Sequence, residues 1–154
     1  LATHLATYKG RRDTHASPQD VERYLYVLPA FRESALVDTG LATLAKRTVQ
    51  PQAVGPILRA MLMEPHSQRQ AWSYVKKNWT AIKTKLGEAW IANIVEASGE
   101  LPADLANEVV KFYDSHLDKM AGQAYGRAKE RLAQNAEFMQ RVVPGIEKWA
   151  KSLG

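Results

Sequence analysis

The chain has 154 residues, 45% of them apolar and 24% charged, with four histidines, no cysteine and a net charge of +5. That is the length of one domain and the composition of a packed soluble protein, which excludes collagen-like and disordered classes. No apolar run approaches the roughly 18 residues of a membrane span, and the lack of cysteine excludes disulfides and thiolate metal sites.

The opening Leu1-Ala2-Thr3-His4-Leu5 is neither a secretory leader nor a start methionine, and is expected to be a cut inside a longer chain. Leu1, Leu5 and Tyr8 then recur at i, i+4 and i+7. Such an uncovered stripe is expected to fray or to bury itself against a second copy, giving a dimer produced by truncation.

Ser17-Pro18-Gln19-Asp20 has the residues of a helix start: a capping serine, a proline suited to the first turn and an acid at the positive end. Val21, Tyr24, Leu25 and Leu28 follow on one face until Pro29. A second helix is predicted from near Glu33, with Val37, Leu41 and Leu44 inward. A third opens at Pro51, aligns Val54, Ile57, Leu58, Met61 and Leu62, and stops at Glu64-Pro65, because a residue before proline is pushed out of the helical region.

Ser67-Gln68-Arg69-Gln70 fits a capping box, and Trp72, Val75 and Trp79 line the helix that follows. Asn78 sits just before a new short period, Ile82 to Leu86, that Gly87 ends. Trp90, Ile91, Ile94 and Val95 mark the next helix, ended by Ser98-Gly99. Leu101-Pro102 opens another, with Leu105, Val109 and Phe112 on its face. The last stretch carries Tyr125, Ala128, Leu132, Met139, Val142, Ile146, Trp149 and Leu153, and Pro144 is expected to kink or split it.

No segment alternates with period two. The expectation is an all-α chain, residues 1–154 as one domain, with about eight or nine helices of roughly 8 to 25 residues. Pairs recur roughly every 30 to 35 residues, as in stacked antiparallel helix pairs of a HEAT- or armadillo-like solenoid, an irregular bundle being the alternative.

Charge is segregated. Residues 65–87 hold Arg69, Lys76, Lys77, Lys83 and Lys85 without an acid, and residues 88–118 hold seven acids against Lys111. The basic stretch interleaves with Trp72, Tyr74 and Trp79 and mimics a nucleic-acid stripe. Its tryptophans repeat at i and i+7, however, as on a buried face. All four tryptophans, Trp72, Trp79, Trp90 and Trp149, are therefore expected in the core, with no nucleic-acid partner.

Catalytic patterns are missing. His4, His15, His66 and His116 never pair at i and i+4, so there is no zinc helix, and no phosphate loop or nucleophile elbow occurs. Glu130, Glu137 and Glu147 sit among Lys129, Arg131, Arg141 and Lys148 and read as a solvated face. Gly122 and Gly126 read as close-packing positions. No catalytic, cofactor-binding or metal residue is expected, and no membrane contact.

One stretch is distinctive. Ala71-Trp72-Ser73-Tyr74-Val75-Lys76-Lys77-Asn78-Trp79 resembles a signature in the C-terminal helical domain of zinc aminopeptidases, gluzincins of the puromycin-sensitive and endoplasmic-reticulum type. Arg23-Tyr24-Leu25-Tyr26-Val27-Leu28, Glu108-Val109-Val110-Lys111-Phe112-Tyr113, and Arg131-Leu132-Ala133-Gln134-Asn135-Ala136-Glu137-Phe138 with Ile146-Glu147-Lys148-Trp149 resemble other family segments in the same order. Gln52-Ala53 and Phe138 depart from it, where glutamine-aspartate and tryptophan are usual.

The resemblance spans residues 17–153. It implies the non-catalytic C-terminal domain of a larger hydrolase, a curved array of helix pairs that closes over the catalytic domain and shapes a peptide cavity. The implied partners are that domain and peptide substrates. Zinc belongs to the parent enzyme, and this fragment alone should cleave nothing. A free-standing repeat scaffold for a protein or RNA is the alternative, and the absence of cysteine suggests a cytoplasmic location.

Overall fold

The third predicted helix illustrates how closely local chemistry fixes the fold. In the computed structural model, which describes residues 23–46, 49–117 and 121–153 together with Thr7 and Gly10, it runs Pro51–Met63. Gln50 is extended, Pro51 takes the first turn, and Glu64 leaves the helix at φ −90°, ψ 120° ahead of Pro65. Pro65 has no N–H to offer the Met61 carbonyl four residues back. The buried Ser67 hydroxyl supplies it instead, at 2.7 Å.

Among the described residues six α-helices pack together: α1 (Ser34–Leu44), α2 (Pro51–Met63), α3 (Gln68–Lys85), α4 (Glu88–Ala97), α5 (Ala106–His116) and α6 (Gly122–Lys151). Short 3-10 turns lie at Leu28–Ala30, Ser98–Glu100 and Ala103–Leu105. No strand occurs among the described residues, so the all-α expectation holds. The predicted helix start at Ser17-Pro18 and the stripe of Leu1, Leu5 and Tyr8 lie outside the described residues.

Alternate helices pack. α2 lies on α4 and α4 on α6, while α1 lies on α3, and α3 reaches α5 through aromatic rings. Gly55 meets Trp90 and Arg59, one turn on, faces Glu96, while Arg127 meets Glu96 and Arg131, one turn on, meets Glu100, so α2, α4 and α6 run in the same direction. This arrangement is compatible with stacked helix pairs. One continuous apolar cluster joins the layers, from Leu25 and Leu28 through Leu58 and Trp72 to Leu132.

Several expectations are corrected. The capping box does not form: Ser67 makes no cap bond, and Gln70 turns away to Ser34 and Asp38 on α1. The Ser67 hydroxyl is already committed to α2. The period from Ile82 to Leu86 belongs to the same helix as Trp72, with a kink at Asn78 (φ −116°, ψ 15°), whose amide donates to the Tyr74 carbonyl at 2.9 Å. On α5, Tyr113 is fully buried and Phe112 only half-buried.

Gly122 and Gly126 are not packing positions, since a Cβ there would meet nothing within 4 Å. The buried face of α6 is Ala124, Ala128 and Leu132, and those glycines sit on the other side. Close approach occurs at Gly55 and Gly99, where a Cβ would lie 2.5 Å from the Trp90 ring and 3.0 Å from the Ala128 backbone.

The largest departure is the second half of α6. The helix runs through Pro144 without splitting, and at 30 residues it exceeds the expected range. On the exposed part of a helix, water satisfies the carbonyl that a proline leaves unpaired. Beyond Leu132 the large apolar residues Phe138, Met139, Ile146, Trp149 and Leu153 are exposed, Trp149 by 63%. Trp149 is therefore not a core residue, because no described element reaches it.

Candidate functional site

The segregated charges meet in space. Arg69 of α3 grips Asp104 with two bonds of 2.8 Å, and Lys76 pairs with Glu108 of α5. The Trp72 indole N–H also donates to Glu108, at 2.7 Å. Lys76 and then Trp72 hold the Glu108 carboxyl below its usual range, and Arg69 does the same for Asp104. These bonds strap α3 to the start of α5.

Behind the strap lies an aromatic cluster. Trp72 and Trp79, two turns apart, both reach Phe112 and Tyr113 edge-on, with ring centroids between 5.3 and 5.8 Å apart. The Asn78 kink lies between the two tryptophans. Burial pushes the Tyr113 phenol well above its ordinary value, and its hydroxyl is satisfied by Ser98 at 2.9 Å. Both indoles are buried, so neither is available to stack on a base.

Two clefts flank this framework. One, of about 460 Å³, is mainly apolar and lies between the end of α3, the start of α4 and Leu117, with Ile91 and Leu86 in its wall. The other, of about 370 Å³, opens where α2, α4 and α6 converge, and is lined by Arg59, Glu96, Glu100, Arg127, Glu130 and Arg131 among others. Arg127 bonds Glu96 at 2.7 Å and Arg131 approaches Glu100 at 3.5 Å. The Arg127 bond foremost, with Arg59 and Arg131 adding their charge, holds the Glu96 carboxyl below its usual range. Such a cleft offers guanidinium donors and carboxylate acceptors to a polar chain.

No sequence signal pointed to this polar cleft, because its residues come from three helices far apart in the chain. Of the carboxylates singled out in the sequence, Glu130 lines it, while Glu137 and Glu147 are exposed elsewhere on α6. His66 is exposed, and His116 stacks on Phe112 with centroids 4.3 Å apart and reaches the Phe112 carbonyl at 2.8 Å. His4 and His15 lie outside the described residues. Among the described residues no three His, Cys, Asp or Glu side chains converge in a metal-binding group, and no helix is long and apolar enough to cross a membrane.

Comparison with known proteins gives this framework a family. The chain is 26% identical over 113 residues to endoplasmic reticulum aminopeptidase 2 of Bos taurus, and 25% identical over 113 residues to that of Homo sapiens. Each match covers 67% of this chain and 11% of the relative, so the chain spans about a tenth of the length of these relatives. Residues 3–134 match the model of the ERAP1-like C-terminal domain. The chain therefore belongs to the ERAP1-like C-terminal domain family.

Proposed function

We propose that this chain is the non-catalytic C-terminal wall of a zinc aminopeptidase. Its helix pairs continue a HEAT-like array, close over the catalytic domain of the same polypeptide and bound the cavity that peptide substrates enter. The observation that carries the reading is the family match over residues 3–134. The alternate packing of α2, α4 and α6 supports it, because such stacking builds an extended wall. The Arg69 and Lys76 straps give that wall the stiffness a lid needs.

The reading places no zinc in this part of the enzyme. The described His66 and His116 lie apart, and no metal-binding group forms among the described residues. The metal and the glutamate that activates water are assigned to the parent's catalytic domain. The relatives are named for the endoplasmic reticulum; a cytoplasmic placement of this chain rests on the absence of cysteine alone.

The test is on the parent enzyme and on this chain. The open reading frame upstream should encode a His-Glu-x-x-His motif. Loosening the wall by substituting Arg69 and Lys76 together should change the parent's preference for peptide length more than its turnover of an aminoacyl anilide. The 154-residue chain alone should hold no stoichiometric zinc after dialysis and cleave no anilide. An upstream frame without the motif, or turnover by the isolated chain, overturns the proposal.

A further inference from the structure

The polar cleft where α2, α4 and α6 meet has a volume of about 370 Å³, room for about a dozen waters. Three guanidiniums, Arg59, Arg127 and Arg131, line it against three carboxylates, Glu96, Glu100 and Glu130. These six are not equally committed. Arg127 bonds Glu96 at 2.7 Å, and Arg131 pairs with Glu100 at 3.5 Å. Arg59 makes no hydrogen bond or ion pair with any described residue, and acts on Glu96 through its charge alone. Glu130 accepts a single long bond of 3.4 Å among the described residues, from Gln134 one turn along α6. A guanidinium on α2 and a carboxylate on α6 therefore line one cleft with most of their hydrogen-bonding capacity unused.

We infer that this cleft binds a free α-amino acid, whose carboxylate meets Arg59 and whose ammonium meets Glu130. Charge decides the class of ligand. The cleft as built is neutral, with three cations against three anions. A simple anion at Arg59 adds a negative charge beside Glu96 and Glu130, and a simple amine at Glu130 adds a positive charge beside Arg127 and Arg131. A zwitterion brings both signs and keeps the balance. Arg59 presents a planar fork that matches a carboxylate with two parallel bonds, and the Glu130 oxygens accept from the ammonium. Neither contact takes Arg127 from Glu96.

The end of α2 favours an aliphatic side chain. Met63 lines the cleft and is 40% exposed, a soft apolar surface on which such a chain leaves water. Leucine fits better than aspartate, whose second carboxylate would meet Glu96 and Glu100. An aminopeptidase frees such a zwitterion at every turnover, so the proposed function supplies the ligand; the site itself rests on the cleft alone and not on that reading.

The test uses the 154-residue chain. An amide NMR titration with L-leucine should give saturable shifts at residues lining the cleft, with a midpoint of roughly 1–10 mM. N-Acetyl-leucine, which lacks the ammonium, and leucinamide, which lacks the carboxylate, should each bind at least about tenfold more weakly. Arg59→Gln and Glu130→Gln should each weaken leucine by a similar factor with an unchanged melting curve, since both side chains are exposed. Glu137→Gln, exposed elsewhere on α6, should leave the midpoint where it is. The absence of saturable shifts up to about 50 mM leucine overturns the assignment. So does N-acetyl-leucine or leucinamide binding as well as leucine, which would make the cleft a site for a simple anion or a simple amine. Shifts that lie outside the cleft, or that survive Arg59→Gln and Glu130→Gln, overturn it as well.

Discussion

The two halves of α6 share one helical period and differ in everything else. In the first, Ala124, Ala128 and Leu132 are buried, Ala128 packs on Gly99, and Asn135 bonds the Gly99 carbonyl at 3.3 Å. In the second, Ile146 and Trp149 repeat the pattern with most of their surface in water. Apolar spacing tells which side of a helix seeks cover. It does not tell whether cover is there, since that depends on where the neighbouring helix ends.

The sharpest way to break this comparison is to substitute the tryptophans. Trp72→Ala removes a fully buried ring that contacts Phe112 and Tyr113, and should cost about 3–5 kcal/mol in chemical denaturation. Gly55→Ala comes next. Its Cβ would lie 2.5 Å from the Trp90 ring, and moving that ring should cost about 1–3 kcal/mol by the same measurement. Ser98→Ala leaves the buried Tyr113 hydroxyl without the partner it has at 2.9 Å, for about 1–2 kcal/mol.

Acid should act more weakly. The Glu108, Glu96 and Asp104 carboxyls are held below their ordinary values of 4.5, 4.5 and 3.8. Their contribution is thus in place above those values and is lost as pH falls through the depressed ones. The pairs are exposed, so a melting series from pH 6 to 2 should show a shallow decline that added salt reduces. Least of all, Trp149→Ala should change the stability of the dilute chain by no more than about 0.5 kcal/mol.

Helices were legible wherever a local rule decides them. Pro51 and Pro65 bound α2, and the expected inward residues of α1 and α2 are buried. The charge segregation was legible too, and Arg69 and Lys76 bring its two halves together at Asp104 and Glu108. What depended on distant partners was not legible. Ser67 has the residue type of a cap, but its hydroxyl answers a carbonyl that Pro65 orphans on the preceding helix. Gly55 and Gly99 bear no local mark that distinguishes them from Gly122 and Gly126; only Trp90 and Ala128, placed by the fold, make them necessary. The polar cleft around Arg59, Glu96 and Arg127 is likewise a product of three helices meeting.

Amide hydrogen exchange along α6, in a chain dilute enough to be monomeric, tests the account most directly. Residues 124–135 should exchange only through global opening, with protection matching the denaturation free energy. Residues 138–151, which include Pro144 and Gly145 and have no described neighbour to hold them, should exchange far faster by local opening. Equal protection in both halves would contradict the account, because it would mean that the second half of α6 is covered within a single chain.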